Sequence, residues 1–493
     1  MGVTNTDVLI IGAGISGLSA AAHLIRMCPG KSFQILEARD TIGGTWDLFR
    51  YPGIRSDSDM QTFGFKFKPW KNPQSVADAS SIMEYLHETV EEYSLGNKIR
   101  FGHKCIGADW SSGTATWTVK AATDEGLKTI ACNFLHMCAG YYSYDDPHNP
   151  DIPGEADFNG PVIHPQFWDE NLNYRNRRVV VIGSGATAVT IIPALAEDTA
   201  YITMLQRSPT YIASRPAKDW FADACRAVLP EKWAYRLARE KNIQHADFVY
   251  KSSLKNPAGT KKKLFKMVRK SLDLPKNAAL PHHYIPHYNP WEQRLCAARD
   301  NDFFEVIKSG KADIVTDHIE TITKTGIRLK CGKHLECDII IKATGINVVA
   351  VSEGEFTVDG DPVDFSGTFT YEGLMFSDIP NMALTYGYVN ASWTLRADLV
   401  SGYVCRLLKH MDGMGVRIAV PRAPEGMEAK PWITTFTPNY ITRIIDTLPW
   451  QGDREPWINT QDYKRDRKVL PTKPIDDGHV EFSSPPGMAE VAQ

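Results

Sequence analysis

The feature that most constrains the fold of this chain is a glycine-rich turn between an apolar strand and a helix of small residues. It lies in the segment TDVLIIGAGISGLSAAAHLI, where Gly12, Gly14 and Gly17 have the spacing G-x-G-x-x-G. In this context the glycines permit a tight turn, a close approach of the backbone to a pyrophosphate, and close packing of the helix on the strand. The helix N-terminus then offers free N–H groups to the phosphates. The segment therefore predicts a parallel α/β domain that binds a dinucleotide.

The residues after this turn favour FAD as the dinucleotide. The next strand, SFQILEARD, ends at Glu37, twenty residues after Gly17, and a carboxylate there accepts hydrogen bonds from ribose hydroxyls. The loop GGTWDLFRYPGIRSDSDM follows, with Gly44 for close backbone approach and Trp46 for packing over a large ring. Taken alone, Trp46 could be a core aromatic residue, but it lies in a glycine-rich loop beside the dinucleotide turn.

A second copy of the turn predicts a different dinucleotide. The segment RRVVVIGSGATAVTIIPALA contains Gly183, Gly185 and Ala188 in the variant spacing G-x-G-x-x-A. Its next strand, YITMLQRSPTY, ends with Arg207 where the first copy has an acid. A carboxylate there would repel the 2′-phosphate of NADP, whereas a guanidinium pairs with it. Arg207 could also be a solvated residue at a strand end, but its position favours NADP.

Composition excludes several other classes. The chain of 493 residues has a net charge of −3, which argues against nucleic acid as a partner. Its nine cysteines include no C-x-x-C pair and no zinc spacing, so we expect free thiols, no metal site and a reducing, cytoplasmic location. The uncharged run Val179–Ala196 approaches the length of a membrane span, but its glycines and Pro193 suit a strand, a turn and a helix better.

Three classes of flavoprotein compete at this point. A disulfide reductase needs a redox-active cysteine pair near the glycine loop, and the nearest cysteines, Cys28 and Cys105, are neither paired nor in that loop. An NADPH oxidase needs no special residues and stays open. A flavin monooxygenase needs a dry pocket and a group that stabilises an anionic peroxide.

The segment FNGPVIHPQFWD favours the monooxygenase class. It fills every fixed position of the pattern F-x-G-x-x-x-H-x-x-x-W-[P/D] with Phe158, Gly160, His164, Trp168 and Asp169. The chain thereby resembles the type I Baeyer–Villiger monooxygenases, a family of class B flavoprotein monooxygenases. Further motifs, among them LQRSPTYI, PHYNPWEQRLC and GYVNASWTLRADLV, resemble the subgroup of ethionamide-activating monooxygenases over about residues 5–475.

This resemblance implies an α/β fold with two Rossmann-like dinucleotide-binding domains, the NADP domain being inserted in the FAD domain. Residues 1–145 would form the first part of the FAD domain and residues 146–344 the NADP domain, with a helical insertion at about 213–293. Residues 345–493 would complete the FAD domain and end in a C-terminal tail. The crossover KATGIN, with Thr344 and Gly345, would lead back into the FAD domain.

The resemblance also assigns catalytic positions. Arg294, in EQRLC, matches the arginine that contacts the flavin peroxide, and Asp57 matches the carboxylate that holds this arginine. His164 would be an interdomain latch that orders the linker as the NADP domain rotates; the alternative is a structural loop histidine. Gln293 departs from the family, whose cyclic-ketone enzymes have a lysine there that helps to bind the 2′-phosphate, so Arg207 carries most of the NADP preference.

The motifs and the resemblance together give two sets of cofactor-binding positions. For FAD these are Gly12, Gly14, Ser16, Gly17, Glu37, Gly44, Thr45, Trp46, Asp57 and Cys105, the last through its backbone. For NADP they are Arg55, Ser56, Gly183, Ser184, Gly185, Ala186, Thr187, Ala188, Arg207 and Ser208.

The implied function is an NADPH- and O2-dependent conversion of ketones into esters or lactones through a C4a-peroxyflavin, with sulfoxidation of thioethers and thioamides as a related activity. The substrate would be a small apolar ketone or sulfide. The alternative is a flavin monooxygenase that oxidises nitrogen and sulfur, with little ketone activity. Trp168 and Asp169 favour the ketone reaction, because the heteroatom enzymes usually have another aromatic residue at the tryptophan position.

A basic segment is not explained by this function. Residues 251–276 contain nine lysines and arginines and one acid, Asp273. Such a segment is either a solvated helical face or a surface that touches anionic lipid, which would place the protein at the membrane periphery.

We predict that Arg294→Ala separates the two halves of the reaction. Reduction of FAD by NADPH should persist, because hydride transfer does not require a cation beside the peroxide. Ester formation should fall by about 10²-fold or more, because a preorganised charge is lost from the oxygenation step. Rapid-mixing measurements of flavin reduction and mass analysis of the product check this, and a normal ester yield would contradict the role of Arg294.

Overall fold

The structure is a computed structural model that describes residues 4–293, 295–349, 351, 353–434 and 436–485. Arg294, the predicted catalytic arginine, lies outside the described residues. The helices are α1 (Ile15–Met27), α2 (Thr45–Leu48), α3 (Met60–Phe63), α4 (Ala79–Glu92), α5 (Ala186–Leu195), α6 (Trp220–Val228), α7 (Glu231–Lys255), α8 (Pro257–Ser271), α9 (Asp302–Lys308), α10 (Trp393–Met414), α11 (Asn439–Thr442) and α12 (Tyr463–Val469).

The strands are short and numerous. They are β1 (Thr4–Ile11), β2 (Phe33–Leu36), β3 (Ile99–Arg100), β4 (Lys104–Ser111), β5 (Thr116–Thr123), β6 (Gly126–Met137), β7 (Tyr142–Pro147), β8 (Val162–Ile163), β9 (Arg178–Ile182), β10 (Tyr201–Gln206), β11 (Tyr211–Arg215), β12 (Leu295–Arg299), β13 (Ala312–Thr316), β14 (Ile319–Thr323), β15 (Gly326–Leu329), β16 (His334–Glu336), β17 (Ile339–Lys342), β18 (Ile346–Val348), β19 (Glu355–Val358), β20 (Asp361–Pro362), β21 (Thr370–Tyr371), β22 (Met375–Phe376), β23 (Met382–Leu384), β24 (Ile418–Pro421), β25 (Lys430–Pro431), β26 (Trp450–Gln451) and β27 (Val480–Ser483).

A large mixed sheet contains the first glycine turn. Its strands have the order β20-β19-β4-β5-β6-β1-β2-β3, and β23 pairs with β6 outside this path. Strands β1, β2, β3, β6 and β23 are parallel, so the turn after β1 lies at a carboxyl edge, where α/β proteins bind ligands. The chain leaves this sheet after β6 and returns to it with β19 and β23.

A smaller, fully parallel sheet contains the second glycine turn, in the order β13-β10-β9-β17-β8. Strands β9 and β17 are buried, apolar runs, as is typical of parallel strands covered on both faces. The predicted fold class, with two Rossmann-like units, is confirmed by these two sheets. The domain boundaries at residues 145 and 344 stay predictions.

Three helices, α6, α7 and α8, lie between strands β11 and β12, which pair with each other in parallel. The side chain of Arg239 on α7 is buried. It holds the helical insertion against residues 61–64 and against α10. Its Nη1 donates hydrogen bonds to the carbonyl oxygens of Gln61 at 2.8 Å and Gly64 at 2.6 Å, and its Nη2 lies 3.5 Å from the Asp398 carboxylate. Among the described helices, none is both long enough and apolar enough to cross a bilayer.

We predict that Gly17→Ala destabilises the protein. A Cβ at Gly17 would overlap the carbonyl oxygen of Gly12. The backbone at Gly17 can move away from the backbone at Gly12 only if α1 shifts away from β1. Overpacking typically costs 1–3 kcal/mol, so we expect a loss of about 3 kcal/mol in the free energy of unfolding. Denaturant unfolding checks this. Gly30→Ala is the matched control, because a Cβ there meets nothing within 4 Å; equal losses in both variants would contradict the argument.

Candidate functional site

Both glycine turns line one cavity of about 1070 Å³ between the two sheets. It is also lined by the loops that follow β2 and β10. The predicted cofactor-binding residues that line it are Gly12, Gly14, Ser16, Glu37, Gly44, Thr45, Trp46, Arg55, Ser56, Asp57, Cys105, Gly183, Ser184, Gly185, Ala186, Thr187, Arg207 and Ser208. Gly17 and Ala188 do not line it, because they face the strands on which their helices pack.

The first turn is shaped by backbone contacts that exclude side chains. Gly12 has a positive φ of 100°, and a Cβ there would lie 2.7 Å from the carbonyl oxygen of Cys138. Gly14 faces Gly44, whose Cα would lie 3.6 Å from an added Cβ. The two glycines leave a shallow backbone surface on the cavity wall, which can approach a pyrophosphate closely.

Glu37 is buried where β2 meets the cavity. Its Oε2 accepts the N–H of Ala13 at 2.7 Å and its Oε1 accepts the N–H of Arg39 at 3.0 Å. Burial raises the pKa of the Glu37 carboxyl, and these two hydrogen bonds oppose the rise. Each oxygen has a second lone pair, so the fixed carboxylate can still accept hydrogen bonds from ribose hydroxyls, as predicted from the sequence.

Aromatic side chains form one wall of the cavity. Trp46 meets Phe63 edge-on, with 5.4 Å between ring centroids, and Trp393 stacks on Tyr141 at 5.2 Å. The Trp393 indole N–H donates to Ser16 Oγ at 2.7 Å, which leaves the hydroxyl proton of Ser16 available to the cavity. This wall can cover a flat ring and exclude water from it.

Trp393 and Tyr141 are functional candidates that the sequence reasoning missed. Trp393 is 377 residues from Ser16 along the chain and begins α10. Its segment, GYVNASWTLRADLV, was noticed only for its resemblance. No local pattern indicates that its indole reaches the first turn, because the contact depends on the return of the chain to the large sheet.

The second turn opens more widely onto the cavity. A Cβ at Gly185 would meet no atom within 4 Å, so a phosphate can approach the backbone there. Ser184 Oγ donates to the carbonyl oxygen of Ser208 at 3.2 Å and joins the turn to the loop after β10. Arg207 is exposed and has no hydrogen bond or ion pair with any described residue. It is a free cation at the position predicted for the 2′-phosphate.

The loop at residues 55–57 joins the two halves of the cavity wall. The Arg55 guanidinium is buried and forms an ion pair with the Asp302 carboxylate at the start of α9. Asp57 lines the cavity, and its carbonyl oxygen accepts a hydrogen bond from Arg215 Nη1 at 2.5 Å. Gln293, next to the position of Arg294, also lines the cavity. The charge of Arg55 is thus engaged by a carboxylate of the protein.

Cys105 lines the cavity as an unreactive thiol. Burial raises its pKa to about 11, so the thiol stays protonated at neutral pH. This agrees with the expectation that only the backbone of Cys105 serves a ligand.

None of the five fingerprint residues lines the cavity within the described part of the chain. Phe158 and Trp168 pack against the two apolar cores of the parallel sheet, and Asp169 Oδ1 accepts the N–H of Asn171 at 2.9 Å. At Gly160 a Cβ would overlap the carbonyl oxygen of Asp338, so only glycine lets this segment lie against the approach to β17. The described fingerprint residues therefore lie outside the cavity.

His164 connects the fingerprint to the crossover. Its Nδ1 accepts the N–H of Gln166 at 3.2 Å, so its Nε2 carries the proton and donates to the carbonyl oxygen of Gly345 at 3.1 Å. Gly345 lines the cavity, so His164 does not line it but contacts a residue that does. Burial lowers the pKa of His164, while the hydrogen bond to Gly345 opposes this. The neutral imidazole fits both of its partners.

The chain is similar to known proteins over nearly its whole length. The family described as flavin-binding monooxygenase-like matches residues 5–256. The FAD-containing monooxygenase EthA of Mycobacterium tuberculosis is 49% identical over 98% of this chain and 99% of its own length. The probable FAD-binding monooxygenase AlmA of Acinetobacter baylyi is 47% identical over 97% of this chain and 96% of its own.

Solved structures share the fold. A steroid monooxygenase bound to NADP superposes with a TM-score of 0.71 and 26% identity, over 86% of this chain and 88% of its own. The cyclohexanone monooxygenase of Rhodococcus sp. Phi1 bound to NADP+ superposes with a TM-score of 0.73 over 98% of this chain and all of its own, and its 20% identity supports the fold alone.

We predict that His164→Gln flattens the pH dependence of stability in mild acid. Because burial sets the folded pKa of His164 below 6.5, its contribution is complete above pH 6.5 and is lost as the pH falls through the folded pKa. Glutamine keeps a donor for the Gly345 carbonyl but does not titrate. Below pH 6.5 the wild type should lose more unfolding free energy than the variant, which melting curves at a series of pH values measure.

His87→Gln is the control for this prediction, because His87 lies exposed on α4. Identical pH profiles for the wild type and His164→Gln would show that the His164 imidazole does not titrate against these partners.

Proposed function

Because this chain belongs to the flavin-binding monooxygenase-like family, we propose that it binds FAD and NADPH and uses O2 to convert ketones into esters or lactones. Family membership confirms the resemblance found in the sequence. In the proposed reaction one oxygen atom of O2 enters the ketone and the other leaves as water, and NADPH supplies the two electrons. FAD, when bound, supplies the chemistry of hydride acceptance and O2 activation.

The residues of the cavity fit both cofactors. In one half, the buried carboxylate of Glu37 and the bare backbone at Gly14 and Gly44 suit a dinucleotide with an unphosphorylated ribose. In the other half, Gly185 opens onto free space and the unpaired guanidinium of Arg207 suits a 2′-phosphate. We therefore assign FAD to the first turn and NADP to the second.

The aromatic side chains of the cavity wall exclude water, and the proposed oxygenation requires this exclusion. Trp46, Phe63, Tyr141 and Trp393 present apolar surface where the ring of a dinucleotide would lie. A water-poor wall also strengthens every charge interaction beside it. Asp57 lines the same cavity, where we propose that its carboxylate orients Arg294 toward negative charge on oxygen.

The complete fingerprint is the observation that carries the ketone reaction over oxidation of nitrogen or sulfur. Its glycine and histidine hold the linker against β17 and Gly345, and its Trp168 packs on the core of the parallel sheet. Thioethers and thioamides remain alternative substrates for the same cavity.

The proposal is tested by mass analysis of products from the FAD-loaded protein with NADPH, air and a long-chain methyl ketone. We expect an ester one oxygen heavier than the ketone, formed in step with NADPH loss. A parallel reaction with a thioether shows which substrate is preferred. Sulfoxide without any ester would favour the heteroatom oxygenase, and NADPH loss with hydrogen peroxide alone from both substrates would contradict the proposal.

We predict that Arg207→Ala weakens the use of NADPH but not that of NADH. A charge-assisted pair with the 2′-phosphate contributes about 1.5–3 kcal/mol, so the KM for NADPH should rise about 10- to 100-fold. The preference should depend on Arg207 because Gln293 offers no charge. Steady-state kinetics with both nucleotides check this. Arg328→Ala on β15 is the control, since Arg328 is an exposed arginine that does not line the cavity.

A further inference from the structure

Exposed apolar side chains are concentrated in one part of the molecule, the helices α6 and α7. Trp220 and Val228 on α6 are 75% and 78% exposed, and Trp233, Leu237, Phe248 and Leu254 on α7 are also exposed. Large exposed apolar patches mark interaction sites in soluble proteins, and α6 and α7 pack against each other. These six residues are called the α6–α7 face below.

Four of the five exposed large apolar residues of α7 share one side of the helix, and the fifth, Val249, lies about 160° from Trp233. At 100° per residue, Leu237, Phe248 and Leu254 lie within about 60° of Trp233. The opposite side, with Tyr235 and Arg239, is buried against the protein. The side of α7 that faces solvent therefore carries large apolar residues among polar ones such as Gln244 and Lys251, whereas the exposed side of an ordinary surface helix is mainly polar.

The charge around this face is strongly basic. Residues 220–271 contain thirteen lysines and arginines against four aspartates and glutamates, although the whole chain has a net charge of −3. All four acids are engaged in ion pairs, Asp223 with Arg226, Glu231 with Lys71, Glu240 with Arg467, and Asp247 with Lys251. The charges left without an ion-pair partner among the described residues of this region are all basic.

Basic and aromatic groups alternate on the face itself. The Arg236 guanidinium lies 5.6 Å from the ring centroid of Trp233. Lys232, Arg236 and Lys255 on α7 are exposed and have no ion pair with any described residue. Indole rings prefer the boundary between water and lipid, and lysine and arginine side chains are attracted to an anionic bilayer.

We propose that the α6–α7 face binds the surface of an anionic lipid bilayer, with α7 lying parallel to it. Helices that bind in this way have an apolar side with aromatic residues flanked by lysine and arginine. A second copy of the chain fits the face less well, because a twofold contact would place two strongly basic surfaces against each other. The proposal extends to α6 and α7 the lipid contact that the sequence suggested for residues 251–276.

Vesicle sedimentation with the full chain tests this proposal. Vesicles of phosphatidylglycerol and phosphatidylcholine should carry the protein into the pellet, and vesicles of phosphatidylcholine alone should carry at least about tenfold less. Binding to the anionic vesicles should weaken at high salt, because the attraction is screened.

The double variant Trp220→Ser/Trp233→Ser should bind at least about tenfold more weakly than the wild type. Leu127→Ser is the matched control, because Leu127 is a 61% exposed apolar residue away from this face, and melting curves verify that both variants fold. Equal binding of the wild type and the double variant would overturn the proposal. So would a wild-type dimer, seen by light scattering, that the double variant dissociates, because a second copy would then cover the face.

Discussion

Direct contact between backbone atoms, without an intervening Cβ, sets the shape of the cavity on which the function depends. Gly17 lets α1 rest on the turn at Gly12, and Gly183 lets the second turn rest on Ala343. At both places an added Cβ would overlap a carbonyl oxygen. Because backbone atoms cannot change rotamer, these contacts fix each turn relative to its sheet more firmly than side-chain packing would. The same contacts leave the N–H groups at the start of α1 and α5 open to a phosphate.

The linker between the sheets is held by the same kind of contact. Gly160 brings the fingerprint segment onto the backbone at Asp338, and His164 then reaches the crossover at Gly345 with a single hydrogen bond. The fingerprint segment thus contacts the chain just before and just after β17. We expect these residues, which do not line the cavity, to influence a reaction within it by holding the linker between the two sheets.

The local motifs predicted the two turns and their sheets, because each glycine pattern lies in one short stretch of chain, and all but two of the predicted cofactor-binding residues line the cavity. Contacts between distant segments were not predictable. The indole of Trp393 reaches Ser16 only after the chain has returned to the large sheet, and the buried ion pair of Arg55 with Asp302 joins residues 247 apart along the chain. The contact of Arg55 with NADP stays a prediction. The sequence reveals the basic segment at 251–276 but not the exposure of the tryptophans on α6 and α7. Exposure depends on which side of each helix the rest of the fold covers. The role of Arg294 stays a prediction.

We propose that one cavity holds both dinucleotides close enough for hydride transfer. Anaerobic mixing of the FAD-loaded protein with one equivalent of NADPH measures this directly through the visible absorption of the flavin. Complete bleaching, faster with NADPH than with NADH, is the result expected if the first turn holds FAD and Arg207 holds the 2′-phosphate. An unbleached flavin, or one bleached equally fast by both nucleotides, would contradict the assignment of the two turns.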